Sequence, residues 1–333
     1  MIARNEEKYI ENCLNSVKDL VGEFILVDTG SNDRTLDIAK NICKKFPLNA
    51  KFFDFTWSDD FSAARNESTK HATSDWILVL DADEKIDRKD IKKIDQLMKK
   101  SGEEIAGFSF EQRTYLDNYF EGAVKNDSEL DQVKKYPFYI SHFLVRLFRN
   151  NLGIKFTHRI HELVEDSLNE KNLKHEKTDV IIHHFGSVKD GGFIRAKSGK
   201  YSEIILRQLD DDPNRDRYNY QAARMYLGRR DIGNALKYFE KTAKINPRYK
   251  LVFSEIAKIH LLMNDSNRAI EYFKKSIKHN PDNPSPANNL AVVYMTLGKF
   301  EKAKEILEEQ IKKHPDNKAL KFNYDRVLEN LKY

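Results

Sequence analysis

Cysteine is scarce in this sequence. Cys13 and Cys43 are the only two among 333 residues, and neither has a partner at the spacing of metal ligands. Both fall in helical patterns, which favours buried free thiols and a reducing compartment. A glycine-rich, basic phosphate loop is also missing near the start, which argues against a nucleotidyltransferase.

Long apolar runs are absent as well. No signal-peptide core opens the chain and no segment is long enough to span a bilayer, so we expect a cytoplasmic protein without a transmembrane segment. Neither sign of charge dominates, since 57 Lys and Arg against 52 Asp and Glu give a net charge of +5. This small, dispersed excess predicts no nucleic-acid partner.

The second half of the chain repeats itself every 34 residues, and the length as a whole suggests two domains. Three columns show the period: Ala223, Ala257 and Ala291; Ala235, Ala269 and Ala303; Pro247, Pro281 and Pro315. Small residues let paired helices approach closely, and proline ends each pair. The pattern resembles the tetratricopeptide repeat. We predict an all-α solenoid over 211–333, made of three repeats and a capping helix.

The first domain, predicted over 1–210, alternates strands and helices. Strand-like apolar runs lie at Glu23–Asp28, Lys51–Phe55 and Trp76–Leu80, with helical patterns between them. This order predicts an α/β domain with a mainly parallel sheet. Further strands are expected over 107–113, 143–148 and 179–183, and the polar stretch 117–135 is predicted to be a mobile loop.

Carboxylates stand where two of these strands end. Asp81 and Asp83 follow the run that ends at Leu80. At this spacing they can face one hard divalent cation, which keeps positions open for phosphate oxygens. Ligands of open α/β sheets collect at such strand ends, so the pattern indicates an enzyme that handles a nucleotide diphosphate. Asp28 ends another strand, where it can accept bonds from a base or ribose, or else shape a turn.

Four short segments occur in order in this domain: Ala3–Glu7, Val27–Asp33, Trp57–Asn66 and Asp81–Glu84. Their order and spacing resemble the family-2 glycosyltransferases of the GT-A fold. The third segment is similar to a subgroup with lipopolysaccharide-core glucosyltransferases and sublancin-type S-glycosyltransferases, some of which carry tetratricopeptide repeats. The resemblance implies a Rossmann-like GT-A domain that uses a UDP-sugar donor and Mn²⁺ or Mg²⁺.

The resemblance also implies a nucleotide-binding set. Asp28 would contact the nucleoside, Asp59 or Asp60 the uracil, and Arg65 the base or diphosphate. Arg65 has the alternative of an ion pair on a helix surface. One of the two neighbouring aspartates has the alternative of capping the helix that starts at Phe61.

The resemblance also implies which residues would bind the metal and the phosphates. Asp83 would ligate the metal directly, while Asp81 would approach both ribose and metal. His184 follows a predicted strand and could complete the site, because imidazole suits Mn²⁺ better than Mg²⁺; its alternative is a satisfied buried histidine. Arg146 and Arg149 could neutralise phosphate or be exposed strand charges.

Glu162 is the candidate catalytic base. In the subgroup a His-Glu pair at this point resembles the catalytic segment, and a carboxylate can take the proton of an attacking hydroxyl or thiol. His161 would orient Glu162 or touch the diphosphate. The alternative is a glutamate paired with Arg159 or His158.

One departure from the family pattern concerns the first strand. Only four residues precede Asn5, so we expect this central strand to be truncated and ladder groups to be unpaired. Either the true start lies upstream, which we favour, or the nucleotide site is weakened.

The sequence thus predicts an inverting, metal-dependent hexosyltransferase (class EC 2.4). It would move a hexose, with glucose as first choice, from a UDP-hexose to an acceptor, with a peptide Cys, Ser or Thr as first choice. One alternative acceptor is an envelope glycan of the lipopolysaccharide type. Another alternative is a non-catalytic tetratricopeptide scaffold with a degenerate glycosyltransferase domain. The repeats would bind the acceptor or a protein partner, or mediate self-association.

Overall fold

The computed structural model describes residues 1–46, 48–118, 123–128, 130–185 and 191–332, and over 191–198 it describes the backbone alone. The chain divides into two compact units, Met1–Ile204 and Ile205–Tyr333. The predicted division after residue 210 falls in the same long helix, Gly191–Asp211. Part of the predicted loop 117–135 lies outside the described residues.

The N-terminal unit begins with alternating strands and helices and continues with long strands. Its elements are β1 (Ile2–Ala3), α1 (Ile10–Val17), β2 (Glu23–Asp28), α2 (Thr35–Lys45), β3 (Asn49–Asp54), α3 (Phe61–Lys70), β4 (Trp76–Leu78), β5 (Glu84–Ile86), α4 (Arg88–Lys100), β6 (Ile105–Leu116), β7 (Val124–Lys125), β8 (Phe138–Arg149), α5 (Glu165–Glu170), β9 (Lys174–His184) and the start of α6 (Gly191–Asp211).

Within the described residues these strands form two sheets. One has the parallel order β1-β2-β3, and the other has the order β4-β8-β6-β9-β5 with β7 on β8. In the second sheet β6 and β9 run parallel, and the other pairs are antiparallel. The α/β prediction is therefore confirmed as a mixed sheet. The expectation of a mainly parallel sheet holds for the first part only, because β6 and β8 follow one another without the crossover helix that parallel pairing needs.

Apolar faces of the helices close over these sheets. The apolar residues of α1, Ile10, Leu14 and Val17, are all buried. The core of the second sheet is built on Phe108, Phe110 and other fully covered side chains. Cys13 and Cys43 are buried free thiols, as expected, and burial raises the pKa of both.

The C-terminal unit is a succession of helices. They are α7 (Asp216–Gly228), α8 (Ile232–Ile245), α9 (Val252–Leu262), α10 (Ser266–His279), α11 (Ser285–Thr296), α12 (Phe300–Lys313) and α13 (Lys318–Asn330), with a 3-10 turn at Tyr249–Leu251 before α9. Consecutive helices pack as pairs, and α13 packs on α11 and α12.

The 34-residue columns lie between these helices. Ala223, Ala257 and Ala291 are fully covered, and Phe239 and Phe273 fill the space beside them. This arrangement confirms the predicted all-α solenoid. No described helix is long and apolar enough to cross a membrane.

Candidate active site

A cleft of about 610 Å³ opens in the N-terminal unit where β4 and β9 end. It gathers six of the residues that the sequence singled out: Arg65, Asp81, Asp83, His161, Glu162 and His184. The chain positions of these residues span more than a hundred residues, so only folding brings them together.

The turn after β4 carries the two carboxylates. Val79 and Leu80 continue the strand into the core, each 5% exposed. The turn is closed by a bond from Glu84 N to Asp81 O, 3.1 Å, and by one from Asp81 N to Glu84 Oε2, 2.8 Å. Ala82 is buried between the two aspartates. The apolar run and the small residue therefore hold the turn so that Asp81 and Asp83 both line the cleft.

A buried ion pair lies beneath this turn. Glu84 is 1% exposed, and its Oε1 accepts from Arg146 Nη2 at 2.5 Å and from Gln112 Nε2. Burial raises the pKa of Glu84, against the opposing charge of Arg146. The structure thus places Arg146 under the site and not among the side chains that line the cleft, because its charge is needed to compensate a buried carboxylate.

Arg65 connects the two sides of the cleft. Its Nη2 lies 2.6 Å from Asp81 Oδ1 and its Nε 2.5 Å from Glu162 Oε1. The side chain is 8% exposed, so this is a buried pair and not the helix-surface pair of the alternative interpretation. Burial works against ionisation of Asp81, but the charges of Arg65 and Arg146 hold its pKa below the usual value. Nη1 of Arg65 is buried without a hydrogen-bond partner among the described residues.

Asp83 and His184 form the opposite pair. His184 Nε2 lies 3.7 Å from Asp83 Oδ2, while its Nδ1 lies 2.9 Å from Thr114 Oγ1. Burial alone would lower the pKa of His184, but the neighbouring Asp83 raises it. A second hydrogen bond that fixes the ring is typical of ligating histidines.

Asp83 and His184 are the side chains that could hold a cation here. Among the described residues no group of three or more acidic, histidine or cysteine side chains is arranged for a metal ion. One oxygen of Asp81 is occupied by Arg65. A carboxylate and an imidazole fit a cation that takes its other ligands from substrate phosphates.

The loop that carries Glu162 is tied at its base and to α3. Thr157 and Leu163 exchange backbone bonds of 2.9 and 3.2 Å, and Phe61 N donates to Arg159 O at 2.8 Å. Both histidines of the loop are left-handed, with φ 75° at His158 and 54° at His161.

In this loop the carboxylate of Glu162 pairs with Arg65 and not with His158 or Arg159, its neighbours in sequence. His158 is buried, with its Nε2 2.9 Å from Asp166. Arg159 lies 3.8 Å from Asp60. The neighbours that the alternative interpretation offered to Glu162 are therefore engaged elsewhere, and His161 is exposed at the cleft.

The nucleotide-binding candidates Asp28 and Asp60 make local backbone contacts. Asp28 Oδ2 accepts from Ser31 N at 2.9 Å and from Gly30 N at 3.3 Å, and Gly30 has φ 101°. Asp60 caps α3 through Ala63 N at 2.9 Å, so it is the member of the pair that takes the cap. Asp59 accepts from Trp57 Nε1 at 2.9 Å.

Arg149 lies apart from the other candidates. It pairs in register with Trp76, at the start of β4, whereas Asp81 follows the end of that strand. Its guanidinium donates to Ile105 O at 2.9 Å and Gly102 O at 3.0 Å and lies over the ring of Trp76. The structure therefore gives Arg149 a role at the far end of the sheet and does not bring it to the cleft.

Two polar residues of β6 were not foreseen. Gln112 lines the cleft and bonds Glu84, and Thr114 contacts the ring of His184. They follow the fully buried Phe108 and Phe110 at intervals of two. The sequence carried a signal for them, because Gln112 and Thr114 continue the alternation of the side chains that β6 buries but are themselves polar.

Comparison with known proteins follows the same division of the chain. The family described as glycosyl transferase family 2 matches residues 1–155, and a tetratricopeptide-repeat family matches residues 260–321. A TPR repeat-containing protein of Synechococcus elongatus is 36% identical over 219 residues, 64% of this chain and 48% of that protein.

Two other relatives are described as glycosyltransferases. The SPbeta prophage-derived glycosyltransferase SunS of Bacillus subtilis is 27% identical, over 73% of this chain and 52% of that protein. The lipopolysaccharide core biosynthesis glycosyltransferase LpsC of Rhizobium meliloti is 24% identical, over 66% of this chain and 73% of that protein. The chain spans about half the length of SunS and of the Synechococcus protein. The first part of this chain thus matches the glycosyl transferase family 2 model, and part of the second matches a tetratricopeptide-repeat model.

Proposed function

We propose that the N-terminal unit transfers a hexose from a UDP-hexose, with glucose as first choice, to an acceptor hydroxyl or thiol with inversion. The observation that carries the proposal is the arrangement around Arg65, with Asp81 on one side and Glu162 on the other. A carboxylate for the donor and a carboxylate for the acceptor thus line one cleft, in a domain of the matching family.

The donor would bind at the side of the cleft that carries Asp83 and His184. These two would hold Mn²⁺ or Mg²⁺, which when bound supplies positive charge to the diphosphate. Thr114 keeps the imidazole of His184 oriented, and Asp81 would face the ribose. Arg65 has a buried donor, Nη1, left to offer to the donor substrate. We keep Asp28 and Asp59 as candidates for the nucleoside, with Asp60 beside them.

Glu162 is the proposed base. It would take the proton of the acceptor while the acceptor atom forms a bond to the anomeric carbon and the bond to UDP breaks. Arg65 fixes the carboxylate through Oε1, and Oε2 is the oxygen that we assign to the proton. His161, exposed on the same loop, would orient Glu162 or touch the diphosphate.

The acceptor is proposed from the relatives. The resemblance of the motifs to sublancin-type S-glycosyltransferases favours a peptide side chain, and the similarity to LpsC, which is described as a lipopolysaccharide core biosynthesis glycosyltransferase, favours a glycan of the envelope as the alternative. We propose that the protein acts in the cytoplasm, where UDP-sugars are available, and that the repeats recruit a protein partner or a second copy.

Asp83 provides the direct test. UDP release from a panel of UDP-sugars should require Mn²⁺ or Mg²⁺, and Asp83→Ala should reduce turnover by a factor of roughly 10² or more, because the metal then loses a direct ligand. Asp95→Ala is the matched control, since Asp95 forms an exposed helix pair with Lys99. Full turnover in Asp83→Ala would remove the metal assignment. Absence of UDP binding in the wild type would favour the scaffold.

A further inference from the structure

Gln112 is a polar residue of the cleft that the proposed chemistry does not use. On β6 it lies two residues after Phe110, which is fully buried, and two residues before Thr114, which contacts His184. Side chains at intervals of two share one face of a strand. The amide of Gln112 therefore lies where the apolar core under β6 gives way to the cleft.

Strand pairing places this amide close to the proposed cation site. Thr114 pairs in register with His184 on β9, and His184 pairs with Glu84 on β5. These three residues form one row across the second sheet. Gln112 precedes Thr114 by two residues, so it lies about 7 Å along β6 from that row and on the same face. The candidate cation ligand His184 and the amide of Gln112 are thus neighbours in the cleft.

The hydrogen bond to Glu84 fixes which end of the amide is left for a ligand. Glu84 Oε1 accepts from the guanidinium of Arg146, and its Oε2 accepts from the backbone N–H of Asp81. Because these partners can only donate, Glu84 also accepts from Gln112, through Nε2. Glu84 is 1% exposed, so the nitrogen of the amide points into the protein. Among the residues that the structure describes, none donates a hydrogen bond to Gln112 Oε1.

A carbonyl oxygen distinguishes between the parts of a nucleotide sugar. It accepts hydrogen bonds, so it matches a hydroxyl group and not a phosphate oxygen, which also accepts. The nucleoside candidates Asp28 and Asp59 lie at the end of β2 and just before α3, outside the second sheet. Gln112 belongs to that sheet together with His184. The hexose is joined to the phosphate that a cation at Asp83 and His184 would hold, so the hexose is the part of the donor that this oxygen meets.

We propose that Gln112 selects the sugar of the donor by accepting a hydrogen bond from one hydroxyl group of the hexose. This role of Gln112 rests on the proposed UDP-hexose transfer and adds to it the residue that recognises the sugar. Glu84 already orients the amide, so the hydroxyl meets an acceptor that is held in place. A sugar without this hydroxyl leaves Gln112 Oε1 without its partner, which weakens binding.

Calorimetric titration of the full chain in Mn²⁺ tests the proposal. The probes are UDP, UDP-glucose, UDP-galactose and the monodeoxy analogues of both sugar nucleotides. In the wild type at least one analogue should bind tenfold more weakly than its parent, a difference of about 1.4 kcal/mol. Gln112→Met has a side chain of similar length without the amide oxygen. It should bind the parent as weakly as that analogue and should no longer distinguish the two.

Two further variants separate lost recognition from lost folding. Gln132→Met is the matched control, because Gln132 accepts from Lys85 at 2.9 Å on the exposed surface, and it should bind every probe within twofold of the wild type. Gln112→Asn keeps the amide but withdraws it by one carbon, and it should also lose the discrimination. The urea unfolding midpoint of each variant reports its folding, and the comparison of analogues in the wild type needs no variant.

Three results would overturn this role of Gln112. One is equal binding of every monodeoxy analogue and its parent by the wild type. Another is unchanged discrimination in Gln112→Met. The third is an equal loss of UDP and UDP-hexose binding in that variant, which would place Gln112 at the nucleotide or the cation. A wild type that binds UDP but no UDP-hexose would instead contradict the proposed hexose transfer itself.

Discussion

Arg65 illustrates what a single residue does in this fold. Its guanidinium contacts two carboxylates. One belongs to Asp81, which follows β4, and the other to Glu162, which lies 97 positions after Arg65 in the chain. The helix that carries it is fixed to the same loop, because Asn66 bonds both backbone groups of Phe156, at 2.8 and 2.9 Å. The separation between the carboxylates of Asp81 and Glu162 is therefore set by one buried side chain.

Glu162→Gln separates chemistry from structure at this site. Glutamine keeps an oxygen that can accept from Arg65, so we expect folding to change little, while turnover falls by a factor of roughly 10²–10⁴ because the proton acceptor is lost. Turnover of the UDP-sugar with acceptor and the urea midpoint are the two measurements. Glu67→Gln on α3, a partly exposed pair with Lys70 and His71, is the control. Unchanged turnover would exclude Glu162 as the base.

Residue types and spacing suggested which side chains would gather, but not how they pair. Asp81, Asp83, His184 and Glu162 were named from their positions after strands and from the family resemblance. The contact between Arg65 and Glu162 was not foreseen, because no local pattern reports a contact between a helix and a distant loop. Asp60 shows the reverse case, since its capping role follows from its position before Phe61.

Alanine residues determine how closely the helices of the repeats approach one another. Ala257 on α9 and Ala269 on α10 are both fully covered, which brings the two helices close. Larger side chains at these positions have no space available, since the neighbouring Phe273 is also fully buried.

Ala257→Leu should therefore destabilise the C-terminal unit. Added volume in a packed interface costs about 1–3 kcal/mol, which urea unfolding followed by circular dichroism at 222 nm would detect. Glu271→Leu introduces the same side chain at a site where the glutamate is 59% exposed, and it should have little effect. Equal stability of the two variants would contradict the close approach at Ala257.

Strand length was harder to predict than element type. The sequence indicated strands at 107–113 and 143–148, whereas β6 and β8 each extend over twelve residues. The residues added at the end of β6 include Thr114, which contacts His184 instead of the apolar core. Long-range pairing with β8 and β9, and not local propensity, extends the strand.

The stability of the N-terminal unit should depend on pH through His183. This residue is 3% exposed, and burial lowers its pKa from 6.5 to about 4. The unfolded chain then binds a proton between pH 6.5 and 4 that the folded chain does not, so stability falls as the pH drops through this window. The full effect is about 3 kcal/mol.

Both tryptophans, Trp57 and Trp76, lie in the N-terminal unit, so their fluorescence reports its unfolding in urea. Between pH 7 and pH 4.5 the unfolding midpoint should fall more in the wild type than in His183→Gln, which lacks the titrating ring. The tyrosine hydroxyl that contacts His183, on Tyr115 at 2.6 Å, keeps a polar partner in this variant. An identical pH profile in both proteins would contradict the role of His183.

The amino-acid sequence alone predicted two domains, strands and helices in the first and helical repeats in the second, while the likeness of the first domain to family 2 glycosyltransferases came from the resemblance of its motifs. The sequence could do so because apolar periodicity, small-residue columns and strand-end carboxylates are local patterns that a chain carries before it folds. Three outcomes became known from the folded structure alone: Arg146 pairs with buried Glu84, Arg149 lies at the far end of the sheet, and Arg65 joins Asp81 to Glu162. Those outcomes depend on which charges are buried together, and burial is a property of the packed molecule.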